Sequence, residues 1–147
     1  MSPKIAIIVS RFNEEITSGL LKGALKFLES HNIKTREQDI FTAPGAFEIP
    51  LIAQTLANSG SYSGVICLGC IIKGDTAHFE FISLGATIGI IQSMLNTETP
   101  VSFGILTTYN EEQALARSRN DAENKGREAA AACLEMIQIL ERIAESH

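Results

Sequence analysis

The sequence predicts an α/β protein: a three-layer αβα sandwich around a four-stranded parallel sheet, in a single domain spanning residues 1–147. Three observations carry this. Apolar, β-branched runs alternate strictly with stretches whose apolar residues recur at helical spacing, and strict alternation implies a parallel sheet covered on both faces. The first and third strand runs are apolar throughout, the mark of strands buried on both sides. The chain of 147 residues shows no repeat, low-complexity tract or linker, and it is long enough to bury a core.

Each element follows in order. KIAIIVS (4–10) is an apolar strand. From Glu14 to about His31, Ile16, Leu20, Ala24, Phe27 and Leu28 fall on one helical face, with Asn13 as the candidate N-cap. TREQDIFTA (35–43) is a second, more polar strand. PGAFEIPLIAQTLANSG opens with a turn and continues as a helix, and SGVICLGCII (63–72) is the third strand. Residues 77–95 form a helix that is apolar on most sides. VSFGILTT (101–108) is the fourth strand and NEEQALARS a short helix. Residues 122–145 make a long last helix with an inner stripe of Ala129, Cys133, Met136, Leu140 and Ile143. A flavodoxin-like arrangement is the simplest assembly of these parts. A helix hydrophobic all round is buried, so the helix over 77–95 predicts cover from a second subunit.

Composition excludes several classes of function. Charged residues make up 20% and hydrophobic ones 45%, and the net charge is −5 with no basic run. That argues against nucleic acid and against anionic membrane surfaces as partners. FISLGATIGII is too short and too interrupted to span a bilayer, and no signal peptide is evident, so a cytoplasmic protein is expected. CLGC (67–70) matches C-x-x-C. Residues three apart in a strand face opposite ways, and no second Cys/His pair completes a zinc site, so no metal is expected.

In parallel α/β sheets, ligands bind beyond the carboxyl ends of the strands. Four unusual segments sit there: RFN, APGAFEIP, KGDTAHFE and TTYNEEQALARSR. GCIIKGDTAHF approaches a P-loop, but Asp75 stands where the lysine belongs. A carboxylate beside phosphate costs about 1–4 kcal/mol at ~4 Å, depending on exposure, which argues against a nucleoside triphosphate. A smaller phosphate fits, held at the helix start and by Thr76, with an arginine from elsewhere; simple capping by Asp75 or Thr76 is the plain alternative. His78 lies in the first turn of that helix, where the dipole favours neutral imidazole, available for proton transfer. His31 and His147 are expected to be structural or solvated.

Pro44 and Gly45 force a turn, and Gly45 lets a ligand approach the backbone. Glu48 either complements a helix dipole or accepts bonds from ligand hydroxyls. Phe12 is a stray anchor or a platform for a flat ring, worth about 0.5–1.5 kcal/mol beyond burial. Phe103, in mid-strand, and Arg117, on a short helix, have plain readings as core and surface. Two other functions are compatible with these residues: a Schiff-base aldolase using Lys73, and a flavin- or nucleotide-binding module without catalysis.

Together, RFN, PGAFEIP, GCIIKGDTAHFE, FGILTT and EEQALAR…NKG resemble the 6,7-dimethyl-8-ribityllumazine synthase family, in order and along nearly the whole chain. The resemblance implies condensation of 5-amino-6-(D-ribitylamino)uracil with 3,4-dihydroxy-2-butanone 4-phosphate, with release of phosphate and water and with no cofactor. It implies that Phe12 stacks on the pyrimidine and that Ala46, Phe47, Glu48, Cys70, Ile71 and Ile72 hold the uracil and ribityl chain. Asp75, Thr76 and Arg117 would hold the butanone phosphate, His78 would transfer protons, and Lys125 is a weaker candidate near the same site. It also implies a homopentamer whose neighbouring subunit supplies Phe103 to the pyrimidine and Arg117 to the phosphate, and riboflavin synthase as a protein partner. Strand one starts at about Lys4, earlier than in shell-forming members, so a free ring is expected rather than a closed shell.

Overall fold

The structure is a computed structural model that describes residues 2–147. Four strands, β1 (Ile5–Ser10), β2 (Ile40–Ala43), β3 (Gly64–Ile72) and β4 (Val101–Thr108), form one sheet in the order β2-β1-β3-β4. All three pairings are parallel, with Ser10 opposite Ala43, Val9 opposite Leu68, and Ile72 opposite Thr108. The helices are α1 (Glu14–Ser30), α2 (Ile49–Asn58), α3 (His78–Thr97), α4 (Glu111–Ala116) and α5 (Lys125–Ser146). This is the flavodoxin-like sandwich the sequence predicts.

The strands bury both faces, so the core has two halves. Ile5, Ile7, Ile66, Leu68 and Cys70 pack under α1 and α5. Ala6, Ile8, Val65, Cys67 and Ile105 pack under α2 and α3. Cys67 and Cys70 therefore point to opposite faces, and both are free, buried thiols. Full burial of a residue such as Ile7 contributes about 1.5–3 kcal/mol. α1 and α5 approach closely at Gly126, where a methyl group would run into the Leu20 backbone.

Three elements differ from expectation. β2 covers only Ile40–Ala43, because Glu37–Asp39 forms a 3-10 turn. Asp39 is buried there, accepts the Tyr62 hydroxyl at 2.8 Å and pairs with Lys4 and Arg36, so side-chain bonds replace a strand ladder. In α5, Ala129 and Cys133 are buried as predicted, but Met136, Leu140 and Ile143 are exposed. The inward face runs instead through Gly126, Ala130, Leu134 and Ile137, in register with the close contact on α1. α3 runs to Thr97, and at 20 residues with mean hydropathy 1.2 it is long and apolar enough to cross a bilayer. Here it packs on the sheet and α2 instead, with Ala86, Ile90 and Ser93 buried and the Ser93 hydroxyl donating to the Pro50 carbonyl at 3.0 Å. Its other side leaves Phe81, Leu84, Ile88, Ile91 and Leu95 exposed.

Candidate active site

Parallel pairing sends all four strand ends to one edge, and a cavity of about 380 Å³ opens there. It lies where the chain order reverses, between β1 and its neighbours, the place where such sheets bind ligands. Its walls bring together eight of the predicted residues: Phe12, Ala46, Phe47, Glu48, Cys70, Ile71, Ile72 and His78.

The loop after β1 is pinned at both ends. Arg11 N–H donates to the Ala43 carbonyl at 3.0 Å, and the Asn13 carboxamide donates to the Cys70 carbonyl at 3.2 Å. Asn13 adopts left-handed backbone at φ 59°, which asparagine tolerates better than most residues. It is not the side-chain N-cap predicted for α1: its backbone carbonyl receives Ile16 and Thr17 N–H while its side chain crosses to β3. Asn13 also lines the cavity, and Ile82 of α3 joins it. Sequence reasoning missed both, because Asn13 has the signature of a helix cap and Ile82 that of an ordinary apolar helix position.

Phe12 and Phe47 are 68% and 58% exposed. Each rests on a glycine. A Cβ on Gly45 would lie 3.3 Å from the Phe12 ring, and one on Gly85 would lie 3.0 Å from the Phe47 ring. The rings are thus seated from below with their outer surfaces open. Glu48 N–H donates to the Gly45 carbonyl at 3.3 Å, and Glu48 is exposed and lines the cavity. Burial, and secondarily Glu111, pushes the Cys70 thiol up to about 11. Cys70 is therefore a neutral wall at pH 7 and not a nucleophile.

At the start of α3, His78 N–H donates to the Thr76 hydroxyl at 3.3 Å. Asp75, Thr76 and His78 are all exposed in this turn, and only His78 reaches the cavity wall.

Phe103 and Arg117 are not brought to this cavity. They line a second one, of about 320 Å³, along β4, together with Thr107, Lys125, Glu123 and Glu128. β4 is an edge strand, paired only with β3, so this cavity opens on a free flank. The Arg117 guanidinium donates to the Gln113 carbonyl at 2.9 Å, and Lys125 N–H donates to the Arg117 carbonyl at 2.8 Å.

A family model for 6,7-dimethyl-8-ribityllumazine synthase matches residues 2–141. The chain belongs to the 6,7-dimethyl-8-ribityllumazine synthase family. Among its relatives is 6,7-dimethyl-8-ribityllumazine synthase 1 of Caulobacter vibrioides, 65% identical over 144 residues, covering 98% of this chain and 94% of that protein. The 6,7-dimethyl-8-ribityllumazine synthase of Salinibacter ruber is 47% identical over 140 residues, covering 95% and 90%. The lumazine synthase match runs through both cavities, and so includes Arg117 and Lys125 as well as the loops around Phe12 and His78.

Proposed function

We propose that the protein condenses 5-amino-6-(D-ribitylamino)uracil with 3,4-dihydroxy-2-butanone 4-phosphate to give 6,7-dimethyl-8-ribityllumazine, the riboflavin precursor. Beside family membership, the observation that carries this is the cavity at the strand ends, lined by two exposed, seated aromatics, by His78 and by the last residues of β3. The pyrimidine stacks on Phe12, its ring lies along Ala46, Phe47 and the Cys70–Ile72 backbone, and Glu48 accepts from ribityl hydroxyls. The phosphate sits near Asp75 and Thr76 and is held by Arg117, with Lys125 beside it.

The chemistry needs little from the protein. The 5-amino nitrogen attacks the ketone and loses water to form an imine. Phosphate is then eliminated, and the ribityl-bearing nitrogen closes the ring with loss of a second water. Aligning two substrates can supply up to about 7–11 kcal/mol of the acceleration, and proton transfer by His78 about 10²–10⁴-fold more. No step calls on a metal or an organic cofactor.

Two cavities at different edges of one chain serve one reaction if a neighbour's β4 flank meets the α3 side of the next copy. The exposed Phe81, Leu84, Ile88, Ile91 and Leu95 support such contact, since a patch of this kind on a small monomer favours association. The assembly is a homopentamer in which Phe103 and Arg117 complete the neighbour's site. It acts in the cytoplasm and hands its product to riboflavin synthase. Mixing purified protein with both substrates and following lumazine absorbance tests the reading: product formation with stoichiometric phosphate release is expected, and flavin binding without turnover would overturn it.

A further inference from the structure

We infer that Tyr109 is a positioning residue for the turn between β3 and α3: Lys73 and Phe79, the residues that bracket this turn, both meet its ring. The inference deepens the proposed function and rests on its assignment of Asp75 and Thr76 to the phosphate and of His78 to proton transfer.

The turn carries Gly74, Asp75, Thr76, Ala77 and His78. Among the described residues, the hydrogen bonds of residues 74–77 stay within the turn and α3: His78 N–H reaches the Thr76 hydroxyl, and Phe81 N–H reaches the Ala77 carbonyl. Its placement over the sheet is therefore set at its two ends. At the first end, Lys73 N–H donates to the Thr108 carbonyl at 2.9 Å, just beyond the last β3–β4 pair, Ile72 with Thr108. That bond brings Lys73 beside Tyr109, and its Nζ lies 5.6 Å from the centre of the Tyr109 ring, a cation–π distance. At the second end, Phe79 packs on the core half under α2 and α3. Its ring centre lies 6.3 Å from that of Tyr109, with 32° between the planes, within reach of an aromatic pair.

Tyr109 is itself held from α4. Its N–H donates to the Gln113 side-chain oxygen at 2.9 Å, and Gln113 N–H donates to the Asn110 side chain at 2.8 Å. Such a pair fixes the chain entering a helix much as a capping box does. One ring thus joins the end of β4 to both shoulders of the turn. The same contact accounts for Lys73. Its ammonium is engaged on the ring, and Lys73 is not on the wall of the cavity at the strand ends, where a Schiff base would have to form.

The test uses the full assembly, checked by light scattering, and steady-state kinetics in each substrate. The variants are Tyr109→Leu and Lys73→Met, alone and combined, with Tyr109→Phe and Lys73→Arg as conservative replacements. A cation over a ring favours its geometry about 2–5-fold, and an aromatic pair about 2–10-fold. Tyr109→Leu loses both contacts, so kcat/KM for the butanone phosphate should fall about 5–20-fold, through a higher KM and a lower kcat together. Lys73→Met should cost about 2–5-fold in the same parameter. KM for the pyrimidine should change less than about twofold. Tyr109→Phe and Lys73→Arg keep ring and cation and should stay near wild type. The double variant should be no worse than Tyr109→Leu alone, because the second change removes a contact already lost. Additive losses, equal rises in both KM values, or wild-type kinetics in Tyr109→Leu would each overturn the inference and leave the proposed function standing. If Tyr109→Leu does not assemble, the lysine variants decide: equal losses in Lys73→Met and Lys73→Arg refute the contact. Complete loss of turnover in Lys73→Arg would point to a Schiff base and overturn the proposed function as well.

Discussion

Replacing Arg117 with alanine separates the two halves of the proposed site. The residue is exposed on the loop after α4, and its one side-chain bond within the chain runs to the Gln113 carbonyl. Losing that bond costs little stability, about 0.5 kcal/mol, so Arg117→Ala should fold and assemble normally. Its proposed partner is a phosphate already close to the carboxylate of Asp75. Removing a charged hydrogen bond there costs about 1.5–3 kcal/mol, which at 1.36 kcal/mol per decade is roughly a 10- to 150-fold rise in KM for the butanone phosphate. On the proposed reading the pyrimidine occupies the other cavity, among Phe12, Phe47 and Glu48, so its KM should change less than about twofold. The assay is steady-state lumazine formation, varying each substrate with the other saturating. An equal rise in both KM values would refute the assignment of Arg117 to the phosphate alone.

Three further outcomes follow from the same structure. His78→Ala should slow turnover by about 10²–10⁴-fold while leaving both substrates bound; complete loss in a folded variant would mean that alignment contributes less than supposed. Gly126→Ala forces a methyl group onto the Leu20 backbone and should destabilise by about 1–3 kcal/mol, read as a lower urea midpoint. Burial pushes the Cys133 thiol up to about 12 from 9.0. A folded-state value raised above the unfolded one gives stability that is intact below about pH 9 and lost toward pH 12, at up to ~1.4 kcal/mol per pH unit. Urea unfolding near pH 8 and near pH 10 should show that decline, to which the buried Cys67 and Cys70 thiols, also pushed up, contribute, and Cys133→Ala should lessen it.

Much of the fold was legible because its strands are buried on both faces. IAIIV and GVICLGCII carry no polar interruption, and a run of that kind between helical patterns has few other solutions. Legibility failed where side chains compete with the backbone. Buried Asp39 draws Tyr62, Lys4 and Arg36 into a polar knot that shortens β2, and nothing in its sequence spacing marks it as buried. In α5 the apolar residues Met136, Leu140 and Ile143 are spaced as a stripe, yet the glycine contact with α1 turns another face inward. On one wall, Phe12, Glu48 and His78 were singled out by their places at the strand ends, while Ala46, Phe47 and Cys70, Ile71 and Ile72 of β3 entered only through family resemblance. That Phe103 and Arg117 lie apart from them is a property of the open sheet and its free β4 edge, and it entered the sequence reading only through family resemblance.

The division of the site between copies is the central claim, and subunit mixing tests it most directly. One variant carries Phe12→Ala and His78→Ala, crippling the cavity at the strand ends, and the other carries Arg117→Ala, crippling the β4 flank. Unfolded together in equal amounts and refolded, a ring with sites between neighbours acquires two intact halves at about one quarter of its sites. At butanone phosphate far below the KM of the Arg117→Ala sites, activity near a quarter of wild type, well above either variant refolded alone, is the result expected. Mixed protein no more active than the average of its parents would contradict a site shared between subunits.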